Sequence, residues 1–238
     1  SVVKRLEQNE PFQHVLGDVE FYGLILKSDS RALVPRPETE ELVDWVINDY
    51  QGQSNLAIMD LCAGSGCIAF ALSSVLRESQ VTAVELSKEA IKLIEENKLS
   101  TELPIDILEA DVLKSDSFSQ FKKDSFDCWV SNPPYIPNKD KAMMHQNVLD
   151  FEPGMALFVE DEFPLVFYTE IAKNANEYLK VGGSLYFEIH ESYGSEMVSL
   201  LENIGFVNIE LRKDLQGRDR MIKAQKVSSP NESRSGEN

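Results

Sequence analysis

The chain is poor in three things, and each shortage removes a class of protein. Of its 238 residues three are cysteine, Cys62, Cys67 and Cys128, too few for a disulfide framework and nowhere spaced C-x-x-C. Reduced, buried thiols of a cytoplasmic-type protein are the expectation. Uninterrupted apolar runs are short: none approaches the ~18 residues that span a bilayer, and no signal-peptide pattern opens the chain. Positive charge is scarce too, with 23 Lys and Arg against 40 Asp and Glu and a net charge of −17. A partner gripped mainly through phosphates needs a Lys/Arg-rich face, so stable nucleic-acid binding is not expected. The three histidines, His14, His145 and His190, are scattered without metal-ligand spacing, and no metal site is expected.

What remains reads as one large folded domain. At 42% the hydrophobic fraction is ordinary for a globular chain, and the length allows a core without staples. Val19 to Tyr22 and Leu24 to Leu26 flank Gly23 as two short strands. Arg36-Pro37 opens a helix whose first turn carries Glu38, Glu40 and Glu41, acids suited to the positive end of the dipole. From Asn55 onward strands alternate with helices, the pattern of a parallel sheet. Strands are predicted at 56–59, 81–84, 105–108, 126–130 and 184–189, and helices at 67–76, from Ser87, at 164–179 and up to Gly205. Val207 to Leu211 and Met221 to Ala224 read as an antiparallel pair at the far side of the sheet. The stretch 136–162 has no strong periodicity, and loops of that length are often functional. Three segments follow: 1–36 as an N-terminal remnant with a hairpin, 37–226 as the catalytic domain, and 227–238 as a frayed tail.

Four successive predicted strands end on Asp60, Glu85, Asp111 and Asn132. In open parallel sheets ligands bind beyond the carboxyl ends of the strands, which makes these side chains candidates for one pocket. The first turn, Asp60-Leu61-Cys62-Ala63-Gly64-Ser65-Gly66, has two glycines that let a ligand approach the backbone closely. It is neither G-x-G-x-x-G nor a phosphate-binding loop. An acid just before it disfavours a pyrophosphate and suits a cationic ligand, which points to S-adenosylmethionine. Glu85 can accept two ribose hydroxyls, or merely precede a helix cap. Asp111 can receive an adenine amino group with Val112 packed on the ring, or be a plain surface acid.

Asn132-Pro133-Pro134-Tyr135 is the sharpest signal. Two prolines fix φ, remove two donors and hold carbonyls outward in a rigid corner. The Asn132 side-chain oxygen and a proline carbonyl can accept both hydrogens of one planar –NH2 group, and Tyr135 offers a flat face to an amide or base. Orienting such a nitrogen towards a sulfonium methyl permits displacement without a strong base.

These residues resemble the class I S-adenosylmethionine-dependent methyltransferases, and the [DNS]-P-P-[YFW] element those that methylate amino groups. Within them the chain is similar to the PrmC/HemK family, the N5-glutamine methyltransferases of peptide chain release factors, from about Gly17 to Ala224. The likeness rests on Phe21-Tyr22-Gly23, Val34-Pro35-Arg36-Pro37-Glu38-Thr39-Glu40, the glycine turn, Asn132 to Pro137, Glu152-Pro153, Ala156-Leu157 and Gly217-Arg218-Asp219-Arg220. It implies an α/β Rossmann-like fold: a mostly parallel seven-stranded sheet with helices on both faces and an antiparallel C-terminal strand, after a short β-hairpin. It implies that Asp60, Cys62, Ala63, Gly64, Ser65, Gly66, Glu85, Asp111, Val112 and Asn132 hold S-adenosylmethionine. Asn132, Pro133, Pro134 and Tyr135 would hold the glutamine of a release factor's Gly-Gly-Gln loop. The family usually has Gly-Thr where this chain has Cys62-Ala63, often an aromatic at Val112, and a helical domain of which residues 1–16 would be the remnant. A cytoplasmic monomer acting on a release factor is the expectation. An adenine methyltransferase acting on DNA or RNA is the alternative, since the same tetrapeptide can hold a flipped base. A scaffold that has lost catalysis is a second one.

Overall fold

The computed structural model describes residues 2–114 and 116–228. Most of the tail predicted at 227–238 therefore lies outside the described residues. Two short helices, α1 (Val2–Glu7) and α2 (Phe12–Leu16), come first. The antiparallel hairpin of β1 (Asp18–Phe21) and β2 (Leu24–Lys27) follows, and then α3 (Pro37–Tyr50). The chain next builds β3 (Ala57–Leu61), α4 (Cys67–Val75), β4 (Gln80–Glu85), α5 (Lys88–Thr101), β5 (Ile105–Glu109) and β6 (Phe126–Ser131). Ser87 caps α5, its hydroxyl accepting from Ala90 N at 3.3 Å. Beyond β6 come β7 (Ile136–Pro137), α6 (Gln146–Phe151), β8 (Phe158–Val159), α7 (Val166–Tyr178), β9 (Leu179–Glu188), α8 (Gly194–Ile204), β10 (Val207–Lys213) and β11 (Asp219–Gln225).

Seven strands form the main sheet in the order β10-β11-β9-β6-β3-β4-β5. Neighbours from β9 to β5 are parallel; β11 alone runs against its neighbours, inserted between β9 and β10. The chain leaves β3 towards β4 and β5, then crosses back to β6 and β9. The order thus switches between β3 and β6, where the carboxyl ends of an open parallel sheet part to form a crevice.

Alternation along the strands fills two cores. Ile58, Cys128, Val130 and Tyr186 face the layer of α3 and α4, whereas Met59, Trp129, Leu185 and Phe187 face that of α7 and α8. Burial on both faces explains why these strands read as continuous apolar runs.

Two expectations need adjustment. β9 starts at Leu179, five residues before the predicted strand, because Gly182-Gly183 masks its beginning. A Cβ at Gly183 would lie 2.9 Å from Lys180 O and 3.1 Å from Asp127 O, so this glycine permits a close backbone approach. The aperiodic stretch 136–162 is a series of short pieces: β7, a 3₁₀ turn at Asn138–Met143, α6, a second turn at Gly154–Ala156, and β8. None is long enough to show a period. Its ends are pinned where Ile136 and Pro137 pair with Phe158 and Val159.

Candidate active site

Beyond the carboxyl ends of β3, β4, β5 and β6 lies an open cleft of about 970 Å³. Its floor is the turn after β3, where Cys62 (φ +57°), Gly64 (φ +57°) and Gly66 (φ +80°) adopt left-handed conformations. At Gly66 a Cβ would meet the Phe70 ring at 2.8 Å, so only glycine turns the chain into α4 here. Cys62 holds the same backbone region with a side chain, at a steric cost glycine would avoid. Its thiol is driven well above the usual range, chiefly by burial and then by Glu85.

Having glycine at its N-cap, α4 receives no capping bond from that position. Asp60 supplies one from below: its Oδ2 accepts from Ala69 N at 3.0 Å. Asp60 is fully buried, Oδ1 has no partner among the described residues, and burial pushes the carboxyl up to about 8. The side chain lies under the turn and does not line the cleft.

Glu85 borders the cleft at the end of β4. Its Oε2 accepts from Gly64 N at 2.8 Å, and Oε1 accepts from Leu86 N and Ser87 N at 2.9 and 2.8 Å. That clasp fixes the carboxylate against the glycine turn. Asp111 and Val112, just past β5, line the next wall; Asp111 Oδ1 accepts from Leu113 N at 3.0 Å, and Val112 is buried.

On the β6 side Asn132 and Pro134 line the cleft, while Pro133 and Tyr135 do not. The Tyr135 hydroxyl instead donates to Glu188 Oε1 at 3.1 Å, and its ring meets His190 edge-on with centroids 6.0 Å apart. Glu188, fully buried at the end of β9, also accepts from Thr39 Oγ1 at 2.7 Å. Burial raises its carboxyl above the ordinary range, against the downward pull of the Thr39 and Tyr135 hydroxyls and of Arg220. Asn132 Nδ2 donates to Thr39 Oγ1 at 3.4 Å.

The cleft has a wall that neither composition nor periodicity marks. Ala32, Leu33, Pro35, Arg36 and Thr39 line it, although 1–36 reads as a remnant ahead of the domain. One acid holds this wall to the opposite side. Glu152 Oε1 accepts from the Arg36 guanidinium at 2.6 Å, and its Oε2 accepts from Val34 N at 3.2 Å. Met155, Ala156 and Phe167 complete the rim. Val34-Pro35-Arg36 and Glu152-Pro153 both stand among the residues that carry the family resemblance, but their contact is seen only in the structure. No group of three or more His, Cys, Asp and Glu suited to a metal exists among the described residues.

Comparison with known proteins places this geometry. The Methyltransferase small domain family matches residues 42–153. A release factor glutamine methyltransferase of Flavobacterium psychrophilum is 42% identical over 226 residues, 94% of this chain and 78% of that protein. One of Bacteroides thetaiotaomicron is 38% identical over 224 residues, 94% of this chain and 79% of the relative. The chain belongs to the release factor glutamine methyltransferase family. In this methyltransferase the fold agrees with solved relatives of the wider class. A 16S rRNA methyltransferase (RsmC) of T. thermophilus, solved with AdoMet and guanosine, superimposes with a TM-score of 0.61 at 17% identity, covering 88% of this chain and 49% of that one. The methyltransferase uses S-adenosylmethionine as cofactor. Its cleft fits such a group in one respect visible without it: Ser65 Oγ is buried on the lining with no partner among the described residues.

Proposed function

We propose that the chain transfers a methyl group from S-adenosylmethionine to the side-chain nitrogen of a glutamine, N5, in the Gly-Gly-Gln loop of a peptide chain release factor. What carries the reading is one juxtaposition: Asn132 and Pro134, from the diproline corner, share a single cleft with the glycine turn and Glu85. Cys62 to Gly66 and Glu85 would hold the cofactor, with Asp111 and Val112 at its adenine end. Asp60 serves it indirectly, through the turn it props. The bound cofactor supplies an electrophilic methyl on a sulfonium, a good leaving group.

The chain supplies orientation. Asn132 Oδ1 and a carbonyl of the diproline corner accept the two hydrogens of the glutamine amide, which turns its nitrogen lone pair along one direction. The amide gains a methyl and gives up one proton. Hydrogen bonds to both N–H groups favour the charge that grows on nitrogen as the new bond forms. Tyr135 braces the corner through Glu188.

In organisation, 37–226 is the catalytic domain to which the 31–36 wall is attached, and the enzyme works as a cytoplasmic monomer without stable nucleic-acid binding. Among the described residues no helix is long and apolar enough to cross a membrane. The test is incubation with labelled S-adenosylmethionine and either a release factor or adenine-containing duplex DNA. Mass spectrometry is expected to find one added methyl on the glutamine of Gly-Gly-Gln. Label on adenine, or none on the release factor, overturns the reading.

A further inference from the structure

An asparagine amide can face a cleft with its oxygen or with its NH2 group, and in shape the two are nearly alike. Only one of them accepts hydrogen bonds from a glutamine –NH2. What decides between them lies behind Asn132.

We propose that Thr39 and Glu188 are positioning residues that fix the Asn132 amide with its oxygen towards the cleft. Two hydroxyls donate to Glu188, Thr39 Oγ1 at 2.7 Å on Oε2 and Tyr135 at 3.1 Å on Oε1, and these bonds with Arg220 favour, against the pull of burial, the carboxylate, the form that has no proton to give. A threonine hydroxyl has one proton. Once it is committed to Glu188, Thr39 Oγ1 can only accept, and the neighbour it accepts from is Asn132 Nδ2 at 3.4 Å. Turned the other way, Asn132 Oδ1 would face Thr39 Oγ1 with no proton between two acceptors. The chain of bonds Glu188–Thr39–Asn132 therefore has one direction, and it ends in an acceptor at the cleft. That contact is long, and its part is to orient rather than to bind tightly; such bonds often shorten when substrate is present.

The fold gives the chain rigidity. Glu188 ends β9 directly beside the end of β6, where Phe187 pairs with Ser131, so it sits next to the strand end that carries Asn132. Thr39 lies in the first turn of α3 and is buried. The Glu188 carbonyl is tied as well, accepting from the Tyr168 hydroxyl at 3.0 Å. A corner locked in this sense prefers an –NH2 donor and rejects a carboxylate of the same shape. On this view Thr39 and Glu188 help the site tell glutamine from glutamate.

The inference rests on the proposed glutamine methylation, and the test separates the two. In Thr39→Val the shape stays and the hydroxyl goes. Expected is a loss of about ten- to a hundred-fold in kcat for release-factor methylation, with the cofactor Kd within about threefold and most activity restored in Thr39→Ser. On top of Asn132→Ala, Thr39→Val should cost less than about twofold more, because it acts through the amide. Should the valine not be accommodated, Thr39→Ala removes the same hydroxyl. Independently of turnover, the Asn132 side-chain NH2 resonances in cofactor-loaded enzyme should be exchange-protected and lose that protection in Thr39→Val. A kcat within about twofold of wild type, equal losses in both backgrounds, or unchanged NH2 resonances would each overturn the proposal. An enzyme that methylates no release factor would sink the functional reading instead, and the NMR result would still decide the orientation.

Discussion

At single residues the site divides its labour between two strand ends. Glu85 is clasped by Gly64, Leu86 and Ser87 N–H groups, a preset carboxylate on the glycine turn, whereas Asn132 belongs to the diproline corner across the cleft. Glu85→Ala is expected to raise the cofactor Kd by about tenfold or more, as loss of a charged hydrogen-bond acceptor would, and calorimetry reads it directly. Asn132→Ala is expected to lower kcat by about a hundredfold or more while leaving that Kd within a few-fold; equal loss of both would contradict the division. Asp60 has a different signature. Folded, it keeps its proton up to about pH 8, whereas an unfolded chain releases it near pH 4. Between those values the unfolded state gains by ionising, so stability falls as pH rises from about 4 to about 8. Asp60→Asn cannot ionise, so its melting temperature relative to wild type should climb across that window; a constant difference would show that the buried carboxyl is already charged. Of the strand-end acids the sequence marks, then, Asp60 serves beneath the turn and Glu85 on the cleft. Alternation along a strand places a residue on a layer, but which way its side chain leaves the strand end depends on the turn that follows.

Among the elements, the parallel strands and their helices were legible because strands buried on both faces leave short apolar runs and amphipathic helices leave a periodic stripe. The segment 31–36 was not, since it has no period and touches the cleft through a contact 116 residues away in sequence, Arg36 with Glu152. Nor was β9 legible from its first residue, because its glycines carry no side chain to set a pattern. Tyr135 shows the same limit at shorter range: a flat ring at a strand end suggests stacking, yet its hydroxyl is spent on Glu188 and Pro134 takes its place on the cleft. The Glu152 brace makes the point testable. Its side chain is 1% exposed while Arg36 is 35% exposed, so removing the charge leaves Arg36 partly solvated and costs chiefly one charged hydrogen bond. Glu152→Gln keeps an acceptor for Val34 N. We expect a loss on the order of 2 kcal/mol, roughly 4–8 °C in Tm for a chain of this length. The cofactor Kd should rise several-fold as the 31–36 wall loosens. A fall in Tm without any change in Kd would mean that the brace supports the fold but not the cleft.

For the whole molecule, two features act together: one sheet shared by two cores, and a net charge of −17. Neighbouring residues of β6 serve opposite layers, Trp129 one and Cys128 and Val130 the other, so neither layer can melt without exposing its partner's sheet face. A single calorimetric transition follows. Charge then sets how that transition moves with salt. Pairs such as Lys92–Glu89 and Lys173–Glu170 are solvent-exposed and worth about 0–1 kcal/mol each, and screening weakens them. Screening also relieves the mutual repulsion of an acid-rich surface, which opposes the compact state. The repulsion acts over many charges at distances well beyond one ion pair, and the Debye length shrinks from about 30 Å at 0.01 M to about 8 Å at 0.15 M salt. Long-range repulsion is therefore lost over that interval, whereas pairs in contact keep much of their attraction. Tm should rise by a few degrees between those concentrations. A fall would show that local pairs outweigh the net field, with the acidic excess spread too evenly to strain the fold.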